Sequence, residues 1–216
     1  MQDLAVVTGM IIKAVPIGEY DRRLVLLTKE RGKISAFARG ARKPNSRFVA
    51  ATNLFCFGTF KLYQGRDSYT LAEAEITNYF EELRMDFEGA YYGMYFLEIA
   101  DYYTRENNDE REMLKLLYQS LRALSVPSLS HKLVRYIYEL KAVIVNGEFP
   151  GIPADNNYLP ATEYTVDYIV NSSIEKLYTF TVTDEVLAEL KTIAEKICKL
   201  CLSPHFRSLE ILNTLE

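Results

Sequence analysis

Imidazole and thiol side chains, on which many metal-dependent and nucleophilic enzymes depend, are scarce in this sequence. Its 216 residues include two histidines and three cysteines. Neither His131 nor His205 lies in a nucleophile motif, and the sequence has neither the G-x-x-x-x-G-K-[ST] loop nor the G-x-G-x-x-G pattern that bind phosphates. The sequence therefore gives no positive indication of catalysis, and we expect a protein that is not an enzyme.

Signals for export and for membrane insertion are also missing. The first residues lack the cationic start and the small-residue cleavage site of a signal peptide. No apolar run reaches the roughly 18 residues that a membrane-spanning helix requires. An odd set of cysteines fits reduced thiols better than disulfides. These patterns predict a cytoplasmic protein that does not contact a membrane.

One group of residues has the spacing of a metal site, namely Cys198-x-x-Cys201-x-x-x-His205. Both cysteines fall on the apolar stripe of a predicted helix, where small hydrophobic side chains belong, and no fourth ligand is evident. We interpret the two cysteines as core residues and predict no cofactor. The spacing by itself still leaves a metal ion open at this position.

Charge is distributed unevenly along the chain. The formal net charge of −4 argues against nucleic-acid binding, but residues 1–75 carry 12 Lys+Arg and 7 Asp+Glu, whereas the remaining 141 carry 13 and 22. Within 22–47, Glu30 is opposed by nine cations: Arg22, Arg23, Lys29, Arg31, Lys33, Arg39, Arg42, Lys43 and Arg47. Such a local excess on an acidic protein produces a focused positive field.

Hydrophobic periodicity changes after residue 75. Before it, short apolar segments separated by turn signals predict strands at 6–14, 24–28, 33–39, 54–63 and 68–74. After it, helical spacing predicts a buried helix over 86–103 and further helices around Leu117, Ile137 and Leu190.

The predicted fold class is α+β, with strands and helices segregated along the chain. Residues 1–78 are expected to form a five-stranded OB-type β-barrel, and 79–216 an all-α helical domain. From about 148 to 182 we expect an irregular insert, because its first part is rich in proline and asparagine and has no periodicity.

The third predicted strand has two chemically distinct faces. One face is small and apolar, as a narrow barrel interior requires, and consists of Ile34, Ala36 and Ala38. The other carries Lys33, Phe37 and Arg39. Cations neutralise phosphates and an aromatic ring stacks on any base, so this face suits single-stranded nucleic acid. The loop after it extends the positive field through Arg42, Lys43 and Arg47.

Other interpretations of this pattern remain open. The basic hairpin is alternatively a solvated surface, with Phe37 buried under the helical domain and Asp21 paired with Arg22 or Arg23. The protein is alternatively an OB-fold RNA-binding protein, or a non-catalytic interaction scaffold whose basic hairpin docks an acidic partner.

The stretch VTGMIIKAVPIGEYDRRLVLLTKERGKISAFARGARKPNSRF resembles the RecO family of bacterial recombination mediators, and the similarity resumes in VNGEFP and in the closing HFRSLEIL. The resemblance implies an OB fold, binding of single- and double-stranded DNA, annealing of complementary strands, and help in loading recombinase onto coated DNA. It carries DNA contact over to the matching basic positions: Arg22, Arg23, Lys33, Arg39, Arg42, Lys43 and Arg47.

The resemblance also implies two protein partners, RecR and the acidic, apolar C-terminal tail of the single-stranded-DNA-binding protein. Such a tail requires an apolar groove rimmed by cations, for which we predict Arg122, Lys132 and Arg135. Many family members carry a four-cysteine zinc module after the segment that matches VNGEFP. The corresponding segment GIPADNNYLPATEY contains no cysteine, so zinc is not expected here.

Overall fold

The computed structural model describes residues 4–66, 68–154, 157–202 and 205–215. The strands come first in these residues, with one short helix among them. Their bounds are β1 Leu4–Ile17, β2 Asp21–Thr28, β3 Gly32–Ala38, α1 Phe48–Ala51, β4 Phe57–Gln64 and β5 Tyr69–Asn78.

The five strands close into a barrel with the order β1-β2-β3-β5-β4. Neighbouring strands are antiparallel except for β3 and β5, which are parallel. The long strand β1 pairs with β4 through its first half and with β2 through its second half, and its register shifts between Ile11 and Lys13. Such a bulge bends a strand so that it serves both neighbours. The predicted OB-type barrel and the α+β class are confirmed.

Alternating side chains of the strands fill the barrel interior. Ile34, Ala36 and Ala38 are at most 1% exposed, as their small apolar character predicts. They pack with larger residues such as Leu24 and Phe60 in one continuous core. Because the side chains of a strand alternate, the residues between them face outward.

The turn between β2 and β3 is held by a later part of the chain, residues 104–110, which we call the connector. Gly32 has φ +62°, and a Cβ atom there would lie 2.3 Å from the carbonyl oxygen of Arg105. The Lys33 N–H donates to this same oxygen at 3.0 Å, and the Asn107 N–H donates to the Arg31 carbonyl at 3.1 Å. Only glycine combines this backbone conformation with so close an approach.

The chain divides into two compact units. The first, which we call the barrel unit, combines the described residues up to Glu81 with Ala100–Leu114. The second, which we call the helical unit, combines Glu82–Ile99 with the described residues from Lys115 onward. The sequence does not indicate that a segment beyond residue 100 belongs with the barrel. This segment belongs with the barrel because main-chain hydrogen bonds join the connector to the β2–β3 turn.

Helices dominate the rest of the chain. Their bounds are α2 Glu81–Met85, α3 Phe87–Tyr103, α4 Arg111–Leu124, α5 His131–Val145, α6 Pro160–Asn171, a 3-10 helix Ile174–Lys176, α7 Asp184–Cys201 and α8 Arg207–Leu215. Thr183 caps α7 by accepting a hydrogen bond from the Val186 N–H. Among the described residues, no helix combines the length and apolar character needed to cross a bilayer.

Helix α5 lies at the centre of the second unit. All residues from Leu133 to Val143 are buried, including three with charged side chains. Its Tyr138 stacks on Phe96 of α3, with ring centroids 4.2 Å apart, and donates a hydrogen bond to the Phe96 carbonyl. A helix that is buried on every side is the core element of its unit.

The expectation of an irregular segment from about 148 to 182 is wrong for its second half. Helix α6 and the 3-10 helix lie within it, while residues 155 and 156 lie outside the described residues. Pro160 is the first residue of α6, where a proline fits because the first helical N–H groups have no partner in the helix.

The C-terminal end of α6 is held by Lys141 of α5. The Lys141 ammonium group donates hydrogen bonds to the carbonyl oxygens of Ile169, Val170 and Ser172.

Candidate nucleic-acid interface

The outer face of the β2–β3 hairpin combines a cation with an aromatic ring. Arg23 pairs directly with Phe37 in the strand register. Directly opposed residues on neighbouring strands project from the same face of the sheet, so the two side chains are neighbours. Arg23 is exposed and Phe37 is partly exposed. The alternative interpretation of the hairpin as a solvated surface required the Phe37 ring to be buried. The ring is instead partly exposed.

This face opens into a concavity of about 620 Å³ within the first unit, which we call the barrel cleft. Strands β2 and β3, the start of β5 and the end of α3 with the connector contribute side chains to it. Its lining includes three cations, two aromatic rings and two carboxylates, namely Arg23, Lys33, Arg105, Phe37, Tyr69, Asp101 and Glu106. Mixed cationic and aromatic linings of this kind suit a flexible phosphate backbone with unstacked bases.

Lys33 does not point freely into the barrel cleft. Its ammonium nitrogen lies 3.0 Å from Asp101 Oδ1 and 2.6 Å from the Asp101 carbonyl oxygen. Lys13 approaches the other carboxylate oxygen at 2.6 Å. Burial alone would raise the pKa of Asp101, but hydrogen bonds from Lys13 and Lys33 outweigh it and lower the pKa. The carboxylate is therefore charged at neutral pH.

The basic loop, residues 39–47, folds back onto the turn between β1 and β2. The Arg42 N–H donates to the Tyr20 carbonyl at 2.8 Å, and the Gly40 N–H donates to Asp21 Oδ1 at 2.7 Å. The Lys43 ammonium lies 5.5 Å from the centre of the Tyr20 ring. Asp21 thus accepts a main-chain hydrogen bond from the loop, which differs from the surface pairing with Arg22 or Arg23 considered from the sequence.

Two of the predicted DNA-contacting arginines make contacts within the barrel unit. Arg22 Nη1 lies within 3.0 Å of the Thr52 carbonyl and of Asn53 Oδ1, and thus holds the end of α1. Arg47 Nη2 donates to the Ala72 carbonyl at 2.6 Å, and its guanidinium lies 4.9 Å from the Phe48 ring centre. Arg22 is only partly exposed, whereas Arg47 remains exposed.

The eight predicted contact residues therefore fall into groups of different accessibility. Within the part of the chain that the structure describes, Arg23 and Arg39 are exposed, and their side chains make no hydrogen bond or ion pair. Arg42, Lys43 and Arg47 are exposed, but their side chains contact neighbouring carbonyl groups or aromatic rings. Lys33 and Arg22 make several internal contacts. The assignment of DNA contact to these residues, and to Phe37, stays a prediction.

Sequence reasoning missed several residues of the barrel cleft, among them Asp101, Arg105 and Tyr69. Asp101 and Lys33 are 68 residues apart in the chain. No local pattern connects residues at that separation. The Arg31 guanidinium donates to the Tyr69 hydroxyl at 2.9 Å, and this contact is equally invisible to periodicity.

The three residues predicted to rim a partner groove lie in different environments. Arg122 is exposed and Lys132 is partly exposed, and their role stays a prediction. Arg135 is 4% exposed, and its Nε donates to Glu139 Oε1 at 2.9 Å. Burial alone would lower the pKa of Arg135, but the Glu139 carboxylate outweighs it and raises the pKa. A guanidinium in this position does not reach the surface, so the prediction for Arg135 is wrong.

The cysteine and histidine side chains near the C-terminus do not converge. The Cys201 thiol donates to the Glu148 carbonyl at 3.6 Å, and His205 pairs with Glu210. Burial raises the pKa of the Cys198 thiol well above its ordinary value, which disfavours the thiolate that metals bind. Over residues 4–66, 68–154, 157–202 and 205–215, no group of three or more His, Cys, Asp or Glu side chains is arranged to hold a metal ion.

Two family models match consecutive parts of the sequence. The model described as Recombination protein O N terminal matches residues 1–80, and the model described as Recombination protein O C terminal matches residues 84–150. Together they cover the barrel and the helices α3 to α5. The barrel cleft, apart from Asp101, Arg105 and Glu106, lies within the first match.

Curated proteins similar to this chain carry the name DNA repair protein RecO. The protein of Acetivibrio thermocellus is 28% identical over 97% of this chain and 96% of its own length. That of Clostridium perfringens strain 13 is 28% identical over 96% and 97%. That of Symbiobacterium thermophilum is 35% identical, over 68% of this chain and 58% of its own length.

Proposed function

The chain belongs to the RecO family of DNA repair and recombination proteins, and from this membership we propose that it binds single- and double-stranded DNA through its barrel unit. The proposed binding surface comprises the barrel cleft and the basic loop. The observation that carries the proposal is the position of Arg23 beside Phe37 in the lining of the cleft, with Arg39 exposed at the start of the basic loop that follows β3.

The two kinds of side chain have separate tasks in this proposal. Arg23 and the cations of the basic loop, Arg39 among them, contact phosphates, which releases condensed counterions and serves single and double strands alike. Phe37 offers a ring on which an unpaired base stacks whatever its identity. Neither task involves covalent chemistry, in keeping with a recombination mediator that is generally not catalytic.

Strand annealing follows from the same contacts. Complementary strands repel one another through their phosphates, and bound cations reduce that repulsion while both strands are held on one protein surface. We propose that the protein anneals complementary strands in this way and helps to load recombinase onto coated DNA. RecR and the C-terminal tail of the single-stranded-DNA-binding protein are the partners we propose, with Arg122 and Lys132 as contacts for the acidic tail.

Binding of oligonucleotides across a range of salt concentrations tests the proposed surface. The double variant Arg23→Gln/Arg39→Gln removes two cations that make no hydrogen bond or ion pair with other described residues. We expect its affinity for a single-stranded oligonucleotide to fall roughly tenfold near 0.1 M salt, and its log–log salt slope to become shallower by up to about 1.4. The melting temperature should not change.

The matched control is Arg84→Gln/Lys199→Gln, which removes two exposed cations from the helical unit. An equal loss of affinity in the control would show that net charge, rather than this surface, governs binding. Phe37→Leu adds a second comparison, because loss of stacking should weaken binding of single strands much more than binding of duplex.

A competition between single-stranded DNA and RNA of equal length separates the proposal from an RNA-binding role. Annealing does not require a 2′-OH group, so DNA should compete at least as well as RNA. Tighter binding of RNA would favour the OB-fold RNA-binding alternative. Absence of salt-dependent binding to either nucleic acid would favour the interaction scaffold.

A further inference from the structure

Two lysines of the barrel converge on one carboxylate at the barrel cleft. Lys13 Nζ lies 2.6 Å from Asp101 Oδ2, and Lys33 Nζ lies 3.0 Å from Asp101 Oδ1. Each ammonium group thus contacts one oxygen of the same anion. Proteins bind phosphate oxygens with the same arrangement of cations. In this structure the protein itself supplies the anion.

The strand register explains why the lysines meet. Lys13 of β1 pairs with Val25 of β2, and Val25 pairs with Ser35 of β3. Lys33 is two residues before Ser35, so it projects from the same outer face of the sheet. Asp101 is near the end of α3 and belongs with the barrel unit. The lysines thus come from the sheet, and the carboxylate comes from the last turn of α3.

The carboxylate remains open to solvent and to competing anions. The side chain of Asp101 is 23% exposed, and those of Lys13 and Lys33 are 48% and 22% exposed. Exchange of partners at such a site does not require any group to pass through a dry interior, so the cost of separating the charges is modest. The same cleft is lined by Arg23 and Phe37, to which we assign phosphate and base.

We propose that Asp101 is an internal competitor for phosphate, which holds Lys13 and Lys33 in a preformed anion site until a DNA phosphate displaces it. The proposal rests on the proposed DNA binding and adds a control element to the same surface. As long as the two lysines are paired with Asp101, they add little to the attraction between the cleft and DNA. A polyanion with several phosphates in a row is favoured over a single anion, because only its neighbouring contacts offset the displaced ion pairs.

A purely structural role for the ion pairs is the competing explanation. The segment that carries Asp101 is also tied to the barrel by main-chain groups, since the Lys33 N–H donates to the Arg105 carbonyl and the Asn107 N–H donates to the Arg31 carbonyl. Arg111 Nε adds a hydrogen bond to the Lys29 carbonyl at 3.4 Å. These bonds persist when the Asp101 charge is removed, so Asp101→Asn should leave the barrel folded.

The deciding experiment compares the wild type with Asp101→Asn in binding a single-stranded thymidine oligonucleotide across a salt series. We expect Asp101→Asn to bind roughly three- to tenfold more tightly near 0.1 M salt, with a log–log slope steeper by up to about 1.4, because two lysines become available to phosphates. The control Asp109→Asn removes the same charge from the same unit and breaks the ion pair with Arg111 instead, and should give no comparable gain.

Removal of the lysines identifies the origin of the gain. Lys13→Met/Lys33→Met in the Asp101→Asn background should abolish the gain in affinity over the wild type. Unchanged or weaker binding by Asp101→Asn, with a lower melting temperature, would overturn the proposal in favour of a structural role. A gain that survives loss of both lysines, or that Asp109→Asn reproduces, would overturn it as well.

Inorganic tripolyphosphate provides a probe that does not depend on DNA. It should raise the melting temperature of Asp101→Asn more than that of the wild type, and only while Lys13 and Lys33 are present. If the wild type and every variant fail to bind oligonucleotides but tripolyphosphate shows this pattern, the anion site stands and the proposed DNA binding fails. If oligonucleotides bind but Asp101→Asn differs in neither assay, the proposed DNA binding stands and the competitor fails.

Discussion

The barrel unit and the helical unit each contain carboxylates that pair with cations, but in opposite surroundings. Asp101 and its two lysines line an open cleft, with side chains 22–48% exposed. The side chains of Arg135 and Glu139 are 5% and 1% exposed within the helical unit, where the Tyr95 hydroxyl also donates to Glu139. The exposure of a cation, rather than its charge, decides whether it exchanges one anionic partner for another. In the cleft it is able to exchange partners, whereas in the core it has a fixed one.

The largest expected effect comes from breaking the buried pair. Glu139→Gln keeps the volume of the side chain but leaves the Arg135 guanidinium without a countercharge in a site closed to water. We expect the free energy of unfolding to fall by about 3–5 kcal/mol. Urea denaturation followed by circular dichroism measures this loss.

The exposed pair of Lys191 and Glu195 on α7 supplies the control for this substitution. Glu195→Gln should change the free energy of unfolding little, because water replaces the lost partner. Equal losses in the two variants would contradict the distinction between buried and exposed pairs.

Lys141 of the helical unit sharpens the comparison. Like Lys33, it donates hydrogen bonds to main-chain carbonyl oxygens, but unlike Lys33 it is buried. Lys141→Met leaves the carbonyl oxygens at the end of α6 without their donor. We expect a loss of about 2–3 kcal/mol in the free energy of unfolding, since unsatisfied buried carbonyls keep their full desolvation cost. Hydrogen exchange should show the C-terminal turn of α6 to be the region that loses protection. Uniform loss of protection would contradict the assignment of Lys141 to this helix end.

The smallest expected effect concerns the pH dependence of the exposed pair. Burial alone would raise the pKa of Asp101, but Lys13 and Lys33 lower it below its ordinary value. A carboxyl group with a lowered pKa stabilises the folded state above its unfolded pKa, near 3.9, and this contribution disappears as the pH falls through the folded pKa. The difference in unfolding free energy between the wild type and Asp101→Asn should therefore be constant near neutral pH.

Below about pH 4 this difference should shrink towards zero, with a total change of less than about 1 kcal/mol because the pair is partly exposed. Urea titrations of both proteins at a series of pH values measure it. A difference that grows on acidification would contradict the direction of the pKa shift.

Local patterns were sufficient to predict the barrel and the positions of the four longest helices. Alternation in Ile34, Ala36 and Ala38 identified the inner face of β3, and helical spacing around Leu190 identified α7. Each of these signals lies within a few residues of the feature that it predicts. The Pro160 signal at the start of α6 was present too, but the surrounding prolines and asparagines favoured a loop.

The composition of the candidate site was only partly predictable. The spacing predicted a strand face with Lys33, Phe37 and Arg39, and the structure brings Lys33 and Phe37 to the cleft together with Arg23, whereas Arg39 follows the end of β3. Asp101 was not predictable, because its contacts with Lys13 and Lys33 join parts of the chain that are 88 and 68 residues apart. Arg135 was placed at the surface because of its charge, and no local pattern indicates a countercharge that allows an arginine to be buried.

The connector between α3 and α4 constrains evolution of the barrel in a particular way. It supports the β2–β3 turn through main-chain atoms, the Arg105 carbonyl and the Asn107 N–H, rather than through side chains. Substitutions in the connector therefore leave these bonds available, provided that the backbone keeps its path. An inserted or deleted residue, by contrast, displaces both bonding groups at once. Variation in the length of this stretch should consequently be tolerated far less than variation in its residues.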